Sequence, residues 1–237
     1  MIKVLVIIPA YNEELNIEKT VNRIIKYSKK SKNDIDYVVI NDGSVDNTFQ
    51  VCLNNNYNVI NLINNLGIGG AVQTGSKYAY YNDYDVAIQF DGDGQHDEKY
   101  IDKLVDEIVK GKDFVIGSRF VSNLSKFRSS GIRRIGIRIL SFTIKICTGH
   151  KIYDPTSGFR AVNEKIIKLF ANDYPLEYPE PETDAFLVKK GYKLSEIPVE
   201  MHSREFGKSS ININKSIYYM VSVSLAIIIA TINKEVK

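Results

Sequence analysis

Cysteine, surplus charge and long apolar runs are all scarce in this sequence of 237 residues. Its two cysteines, Cys52 and Cys147, lie far apart without the spacing of metal ligands, which argues against a cysteine metal site and favours a reducing cytosol. The net charge of +3 is too small to indicate a nucleic-acid partner. The N-terminus has no long apolar stretch followed by a cleavage site, so we expect no signal peptide.

The apolar residues that are present follow the pattern of an α/β domain. Hydrophobic residues make up 44% of the chain and charged residues 25%, which is ordinary for a globular core. Short apolar runs alternate with segments of helical periodicity, as expected for right-handed crossovers in a largely parallel sheet. No internal repeat or low-complexity linker interrupts this pattern, so we predict one domain. The first four predicted strands are residues 3–8, 37–40, 59–63 and 86–90.

The most informative turn follows the fourth predicted strand and reads Asp-Gly-Asp-Gly-Gln-His over residues 91–96. Ligands of α/β proteins are usually held at the carboxyl ends of strands. Asp91 and Asp93 offer the hard oxygen atoms that Mg²⁺ or Mn²⁺ prefers, whereas an ordinary turn is the alternative. A calcium loop of the EF-hand type is disfavoured, because His96 and Asp102 occupy positions where that loop requires glycine and glutamate.

Two further polar turns also follow predicted parallel strands. Asp42, after the second strand, is suited to accept hydrogen bonds from a base or a ribose, and capping of the next helix is the alternative. Residues 67–70 open a helix, where glycine lets the backbone approach a ligand at the helix N-terminus. They do not form the dinucleotide fingerprint G-x-G-x-x-G, because residues 71–73 continue as Ala-Val-Gln.

These three turns, together with three other motifs, resemble those of family 2 glycosyltransferases of the GT-A fold. The order and spacing of the motifs match that family, and the similarity covers roughly residues 3–210. The last two motifs resemble the branch that contains dolichyl-phosphate mannosyltransferase and bacterial polyprenyl-phosphate glycosyltransferases. One departure is Asn41, where the family usually has a second aspartate before Asp42. The motifs are Pro9-Ala10-Tyr11-Asn12-Glu13, Asn41-Asp42-Gly43-Ser44, Asn65-Leu66-Gly67-Ile68-Gly69-Gly70, Asp91-Gly92-Asp93-Gly94-Gln95-His96, Gly117-Ser118-Arg119-Phe120 and Asp154-Pro155-Thr156-Ser157-Gly158-Phe159-Arg160.

The resemblance implies roles for individual residues. A nucleoside-diphosphate sugar would be bound by residues at several strand ends, and a divalent ion would be bound at the carboxylate turn. The implied donor-binding residues are Pro9, Tyr11, Glu13, Asp42, Gly69, Gly70, Asp91, Arg204 and Lys208. The implied ligands of Mg²⁺ or Mn²⁺ are Asp91, Asp93 and Gln95. The implied catalytic residues are Arg119, Asp154 and Asp184.

The implied catalytic residues differ in their support. Arg119 has a guanidinium fork of the right shape for a phosphate. Asp154 corresponds to an aspartate near the reacting centre of the family, although Asp-Pro turns are common. Asp184, with Glu182, lies where other family 2 enzymes carry a base for an acceptor hydroxyl. Helix-capping acids in a solvated loop are the alternative there, and a phosphate acceptor is already an anionic nucleophile.

Two segments indicate contact with a membrane or a lipid phosphate. Residues 126–151 contain seven lysine and arginine residues, interleaved with apolar ones, and no acidic residue. A helix with this pattern is typical of membrane surfaces, and Arg133 and Arg134 are candidates for contact with an acceptor phosphate. Residues 217–232 contain no charge but would cover only about 24 Å as a helix, short of a ~30 Å hydrocarbon core. A solvated basic face and a tail packed on the body or on another subunit are the alternatives.

We therefore predict an α/β GT-A domain over residues 1–210, with a Rossmann-like, mostly parallel sheet flanked by helices, and a C-terminal apolar helix over residues 211–237. The predicted reaction is a metal-dependent, inverting sugar transfer from a nucleoside-diphosphate sugar. The predicted acceptor is a polyprenyl phosphate or a lipid-linked glycan of cell-surface polysaccharide synthesis. We expect peripheral attachment to the cytoplasmic, inner face of the cell membrane and no nucleic-acid partner, with self-association through the tail left open. The rival functions are a sugar nucleotidyltransferase and a non-catalytic, nucleotide-binding membrane scaffold.

Overall fold

The computed structural model describes residues 1–121, 131–202 and 213–232. The strands in these ranges are β1 Lys3–Ala10, β2 Asp34–Asn41, β3 Val59–Asn61, β4 Val86–Gln89, β5 Phe114–Ser118, β6 Arg160–Asn163 and β7 Leu194–Pro198. The α-helices are α1 Ile17–Ser28, α2 Thr48–Asn54, α3 Gly67–Tyr81, α4 Ile101–Val109, α5 Gly131–Thr148, α6 Glu164–Asn172, α7 Pro179–Lys189 and α8 Ile213–Ile232, with a short 3-10 helix at Glu98–Tyr100.

The described strands form one seven-stranded sheet in the order β3-β2-β1-β4-β6-β5-β7. Neighbouring strands run parallel, except that β6 runs antiparallel to both β4 and β5. The predicted α/β fold with a mostly parallel sheet is therefore confirmed, with one reversed strand added. Because β6 is reversed, its first residue, Arg160, pairs with Gln89 and Ile116 near the carboxyl ends of β4 and β5.

Helices cover both faces of the sheet, which explains the uninterrupted apolar runs of its central strands. The residues from Val4 to Ile8 of β1 are all apolar and buried. One apolar core lies between the sheet and the side of α1, α2 and α4, and the other lies on the side of α3 and α5 to α8. The loops at the carboxyl ends of β1, β2 and β4 are left to meet at one edge of the molecule.

The apolar tail segment, residues 217–232, forms the larger part of α8. Val223 and Ile227 on one face of α8 are buried against α5 and α7, whereas Val221 and Leu225 on another face are exposed. Over the three described ranges, no helix combines the length and apolar character needed to cross a membrane. The predicted domain boundary at residue 210 lies outside the described residues and stays a prediction.

Candidate active site

The turn after β4 carries a partly exposed carboxylate, Asp91, and each of its two oxygen atoms contacts another polar side chain. The Asp91 side chain is 34% exposed. Its Oδ2 lies 3.2 Å from Nε2 of His96, and its Oδ1 accepts a 3.2 Å hydrogen bond from Nε2 of Gln89. Gly158 lies against the same group, because a Cβ atom added there would stand 2.4 Å from Asp91 Oδ2. The carboxylate turn and the later Ser-Gly-Phe-Arg motif therefore meet at Asp91.

These contacts keep Asp91 ionised. Burial acts to raise the pKa of the Asp91 carboxyl. The contacts with His96 and Gln89, and the charge of Arg160, act in the opposite direction and hold the pKa of Asp91 below its ordinary value. At neutral pH the group is a carboxylate, which is the form that binds a divalent cation.

Asp93 and Gln95 contact a different part of the molecule. Oδ1 of Asp93 accepts a 3.0 Å hydrogen bond from the backbone N–H of Gln95. Asp93 also lines a polar cavity of about 480 Å³ between α1 and the segment from Asp93 to Glu98. The Gln95 backbone carbonyl accepts a 2.8 Å hydrogen bond from the N–H of His202, and Gln95 Nε2 donates to the His202 carbonyl at 3.3 Å. The turn is thereby tied to the chain that follows β7.

The side chains of this turn fit Mg²⁺ or Mn²⁺. Asp91 and Asp93 supply two carboxylates of the hard-oxygen type, one glycine apart. In the part of the chain that the structure describes, no group of three or more His, Cys, Asp or Glu side chains could hold a metal ion. Mg²⁺ is usually bound by one or two carboxylates, with substrate phosphates and water completing its coordination. The residues present therefore fit an ion that binds together with a diphosphate.

The end of β1 and the loop that follows it lie beside the carboxylate turn. The carbonyl oxygen of Pro9 accepts a 3.1 Å hydrogen bond from the N–H of Gly92. Tyr11 is exposed. Glu13 is buried, and its Oε2 accepts a 2.7 Å hydrogen bond from Nδ2 of Asn16. The structure thus brings the predicted nucleoside-binding residues of this loop to the same edge as Asp91.

Asp42 joins the end of β2 to the start of α3. Its side chain is buried, and Oδ1 accepts a 2.7 Å hydrogen bond from the N–H of Leu66, the residue before α3. Its carbonyl oxygen also accepts a 3.1 Å bond from Nδ2 of Asn65. The structure therefore shows Asp42 supporting the α3 turn, and its contact with a donor stays a prediction.

Gly69 and Gly70 pack closely against other parts of the chain. Both lie buried in the first turn of α3. A Cβ atom on Gly69 would stand 2.4 Å from the carbonyl oxygen of Pro175 and 2.6 Å from Cα of Leu176, and one on Gly70 would meet the Leu66 side chain. The missing side chains let parts of this chain approach one another, and the contact of these glycines with a donor stays a prediction.

Arg119 and Asp154 are brought together, but in a buried ion pair. Nε and Nη2 of Arg119 donate to the two carboxylate oxygens of Asp154 at 2.7 Å and 2.6 Å. The Asp154 side chain is fully buried, and Arg119 is nearly so. The two groups bind each other in this structure, and the expected roles of Asp154 near the reacting centre and of Arg119 at a phosphate stay predictions.

Comparison with known proteins identifies the chain. Residues 5–170 match the model of glycosyl transferase family 2. This chain belongs to that family.

Relatives of this family 2 chain include transferases named for lipid-phosphate acceptors. A UDP-N-acetylglucosamine–dolichyl-phosphate N-acetylglucosaminyltransferase from Methanococcus voltae is 30% identical over 90% of this chain and 92% of its own length. A polyprenol monophosphomannose synthase from Mycolicibacterium smegmatis is 26% identical over 89% of this chain and 81% of its own.

Solved structures show the GT-A fold. Glucosyl-3-phosphoglycerate synthase from Mycobacterium tuberculosis, in complex with Mn²⁺ and UDP-glucose, has a TM-score of 0.70 and 16% identity. The match covers 99% of this chain and 80% of that one. At this identity the likeness shows the fold alone.

Asp184, the expected base of this family 2 chain, is fully buried in α7. Its Oδ1 lies 3.2 Å from Nη1 of Arg160, and Oδ2 has no hydrogen-bond partner among the described residues. A base must contact the proton that it accepts, and the role of Asp184 as a base stays a prediction. Glu180, one helical turn earlier, is not among the predicted site residues, yet it is partly exposed and interacts electrostatically with Asp91. The signal available for Glu180 was its carboxylate four residues before Asp184, on the same helix.

Several predicted residues cannot be placed. Arg204 and Lys208 lie outside the described residues, and so does the side chain of Arg133. Arg134 is exposed on α5. The roles assigned to these residues stay predictions.

Proposed function

We propose that this chain transfers a sugar from a nucleoside-diphosphate sugar to a polyprenyl phosphate, with a lipid-linked glycan as the alternative acceptor. The observation that carries the proposal is Asp91, a partly exposed and ionised carboxylate at the carboxyl end of β4. Family membership and the names of the relatives support the same chemistry.

Donor binding is assigned to the edge where β1, β2 and β4 end. Tyr11 and Asp42 would contact the nucleoside, beside the carboxylate turn. Asp91 and Asp93, with Gln95, would hold Mg²⁺ or Mn²⁺, which neutralises charge on the diphosphate when bound. The Mn²⁺ and UDP-glucose in the structural neighbour support this assignment.

A phosphate acceptor agrees with the position of Asp184. In the proposed reaction an oxygen of the acceptor phosphate forms a bond to the anomeric carbon, and the bond from that carbon to the donor diphosphate breaks. The nucleoside diphosphate leaves with the electron pair, and the anomeric configuration is inverted. The attacking phosphate oxygen is already anionic, so no side chain has to remove a proton, and the burial of Asp184 is no obstacle.

The exposed faces of α5 and α8 suit a membrane surface. Both helices carry exposed apolar residues at helical spacing, and α5 packs on α8. Exposed basic residues lie on α5 and just after it. We assign peripheral attachment at the cytoplasmic, inner face of the cell membrane to this surface, which would bring Arg133 and Arg134 to the head group of the acceptor. The apolar residues are Ile135, Ile139, Phe142 and Ile146 of α5 and Val221, Leu225, Ile228, Ile229 and Ile232 of α8, and the basic residues are Arg134, Arg138, Lys145 and Lys151.

The proposal is tested with the full chain, a panel of nucleoside-diphosphate sugars and a polyprenyl phosphate in lipid vesicles. We expect a glycosyl-lipid product of inverted configuration, formed only with Mg²⁺ or Mn²⁺. Asp91→Asn should abolish transfer, and Asp34→Asn, the same change at the far end of β2, should not. Full activity in excess chelator would contradict the metal assignment. Release of diphosphate from a nucleoside triphosphate would instead show a nucleotidyltransferase.

A further inference from the structure

His96 is a buried polar side chain in the carboxylate turn, and the proposed reaction gives it no task. Its side chain is 3% exposed, whereas that of Asp91 is 34% exposed. The imidazole therefore lies behind the carboxylate, on the side away from solvent. This position rules against direct contact between His96 and a substrate.

The contact between the two side chains has a defined direction. A carboxylate only accepts hydrogen bonds, so Nε2 of His96 carries the hydrogen and donates it to Oδ2 of Asp91, 3.2 Å away. Nδ1 of His96 is buried and has no hydrogen-bond partner among the described residues. The bond to Asp91 is thus the polar contact that orients the ring.

Aromatic packing fixes the imidazole in place. The ring stacks on Phe159, with centroids 5.0 Å apart and planes at 30°. Its edge meets Phe90 at 5.3 Å and 70°, and Phe90 meets Phe159 at 5.4 Å and 82°. A ring held by two neighbours has little freedom to turn, so its Nε2–H stays aimed at one carboxylate oxygen.

We propose that His96 is a positioning residue for Asp91, fixing the carboxylate in the orientation that binds the divalent cation of the donor complex. Gln89 donates a hydrogen bond to the other oxygen, so His96 and Gln89 together fix both oxygen atoms of the carboxylate. The inference rests on the proposed function, because it assumes that Asp91 is a metal ligand. Partners that orient metal ligands typically change metal affinity about 10- to 100-fold when they are removed.

The test compares variants that keep or lose the hydrogen-bond donor at position 96. His96→Gln retains an amide N–H at a distance close to that of Nε2, whereas His96→Leu keeps a similar apolar volume without a donor. His96→Asn adds a polar side chain too short to reach Asp91, in case His96→Leu does not fold. Phe170→Leu, in the core on the opposite face of the sheet, controls for a general loss of packing.

Mn²⁺ affinity is measured from the electron paramagnetic resonance signal of free Mn²⁺, with UDP and in parallel with GDP. We expect His96→Leu and His96→Asn to weaken Mn²⁺ binding about tenfold or more, and His96→Gln and Phe170→Leu to stay within about threefold of wild type. The Mn²⁺ concentration needed for half-maximal transfer should rise in the same order, with kcat at saturating Mn²⁺ changed much less.

Two results would overturn the inference while leaving the proposed function intact. In one, folded His96→Leu binds Mn²⁺ as tightly as wild type, which would make His96 a packing residue. In the other, His96→Gln binds Mn²⁺ as weakly as His96→Leu, which would show that the shape of the ring matters and the hydrogen-bond donor does not. Wild type that transfers sugar but binds no Mn²⁺ would contradict the metal assignment itself, and the inference with it.

Discussion

Arg119 donates hydrogen bonds from Nε and Nη2 to the two carboxylate oxygens of Asp154, and both side chains are buried. The backbone N–H of Arg119 donates to the same carboxylate at 2.9 Å. The N–H of Asp154 in turn donates to Oε1 of Glu196 on β7 at 3.0 Å. This pair therefore joins the end of β5 to the loop that leads into the reversed strand β6.

Breaking this ion pair should lower the free energy of unfolding. Asp154→Asn leaves the buried guanidinium without its compensating charge, which typically costs about 3–5 kcal/mol in the free energy of unfolding. Urea denaturation followed by circular dichroism measures the change. Asp173→Asn, an exposed carboxylate, should change it by less than about 0.5 kcal/mol. If Asp154→Asn keeps wild-type stability and loses only turnover, Asp154 acts on the substrate directly and the structural role is wrong.

Asp184 should make the protein less stable as the pH rises. Burial raises the pKa of Asp184 from 3.8 to about 8, against the opposing charge of Arg160. The folded protein holds this proton more tightly than the unfolded chain does. The resulting stability is fully present below the pKa of Asp184 in the unfolded chain and is lost as the pH rises through about 8. Asp184→Asn removes this titration. Between about pH 4 and pH 8 the free energy of unfolding should fall less for this variant than for wild type. The difference between the two falls should exceed about 1.4 kcal/mol, which corresponds to one pKa unit.

The comparison has to be made against wild type, because burial raises the pKa of Glu196 too and gives the same trend. Urea unfolding at several pH values measures both profiles. Glu164→Gln, at an exposed position of α6, should give a profile parallel to wild type. A parallel profile for Asp184→Asn would show that Asp184 is ionised in the folded protein across this range.

Much of the fold could be predicted because its signals are local. Continuous apolar runs predicted β1, β2, β3 and β4, and the helical spacing of apolar residues predicted the helices between them. The reversed strand β6 could not be predicted in this way, since its four residues have no pattern that indicates direction. Its orientation follows from pairing with β4 and β5, residues far away in the sequence.

The candidate site could be predicted only in part. Asp91 was placed correctly at a strand end, because a polar turn after a buried strand is a local signal. The pairing of Arg119 with Asp154 was missed, because the sequence of the motif is the same whether its arginine binds a phosphate or a distant aspartate. The burial of Asp184 depends in the same way on how α7 packs, and no spacing within α7 reports it.

Gly69→Ala distinguishes packing from donor contact. The added methyl group would lie 2.4 Å from the carbonyl oxygen of Pro175, an atom of the backbone that cannot move alone. Overpacking of this kind typically costs about 1–3 kcal/mol or more, and we expect such a loss in the free energy of unfolding by urea. Lys77→Ala, exposed on the same helix, should be close to neutral. Unchanged stability with weakened nucleotide binding would instead support the donor contact expected from the sequence.

Gly158→Ala should impair metal binding more than stability. The new Cβ atom would stand 2.4 Å from Oδ2 and 2.8 Å from Oδ1 of Asp91. A flexible side chain gives way more easily than the backbone, so the carboxylate should turn away and the fold should survive. We expect Mn²⁺ affinity and transfer to fall about 10- to 100-fold, with the melting temperature nearly unchanged. Gly131→Ala, where an added Cβ meets nothing within 4 Å, is the matched control. Equal Mn²⁺ affinity in both variants would contradict the close contact.

The exposed apolar face of α5 and α8 should provide a salt-insensitive part of membrane binding. Deleting α8 is a poor test, because Val223 and Ile227 are fully buried and their loss would open the core. Phe142→Gln with Leu225→Gln changes two exposed residues instead, one on each helix. Burying one such side chain in lipid is worth about 1.5–3 kcal/mol, so the double variant should bind vesicles at least about tenfold more weakly at low and at high salt, because apolar burial is not screened.

Cosedimentation with vesicles of anionic and neutral lipid measures this effect. Leu53→Gln with Val109→Gln, two exposed apolar residues on α2 and α4, is the matched control and should bind as wild type does. Donor binding should be unchanged in both double variants, because none of the four side chains lies at the Asp91 edge of β4. If the α5 and α8 variant keeps its vesicle affinity but changes from oligomer to monomer in sedimentation, the apolar face joins copies of this chain. In that case the basic residues of α5 would have to bring the cleft to the lipid head group without apolar help, and salt alone should release the protein from the vesicle.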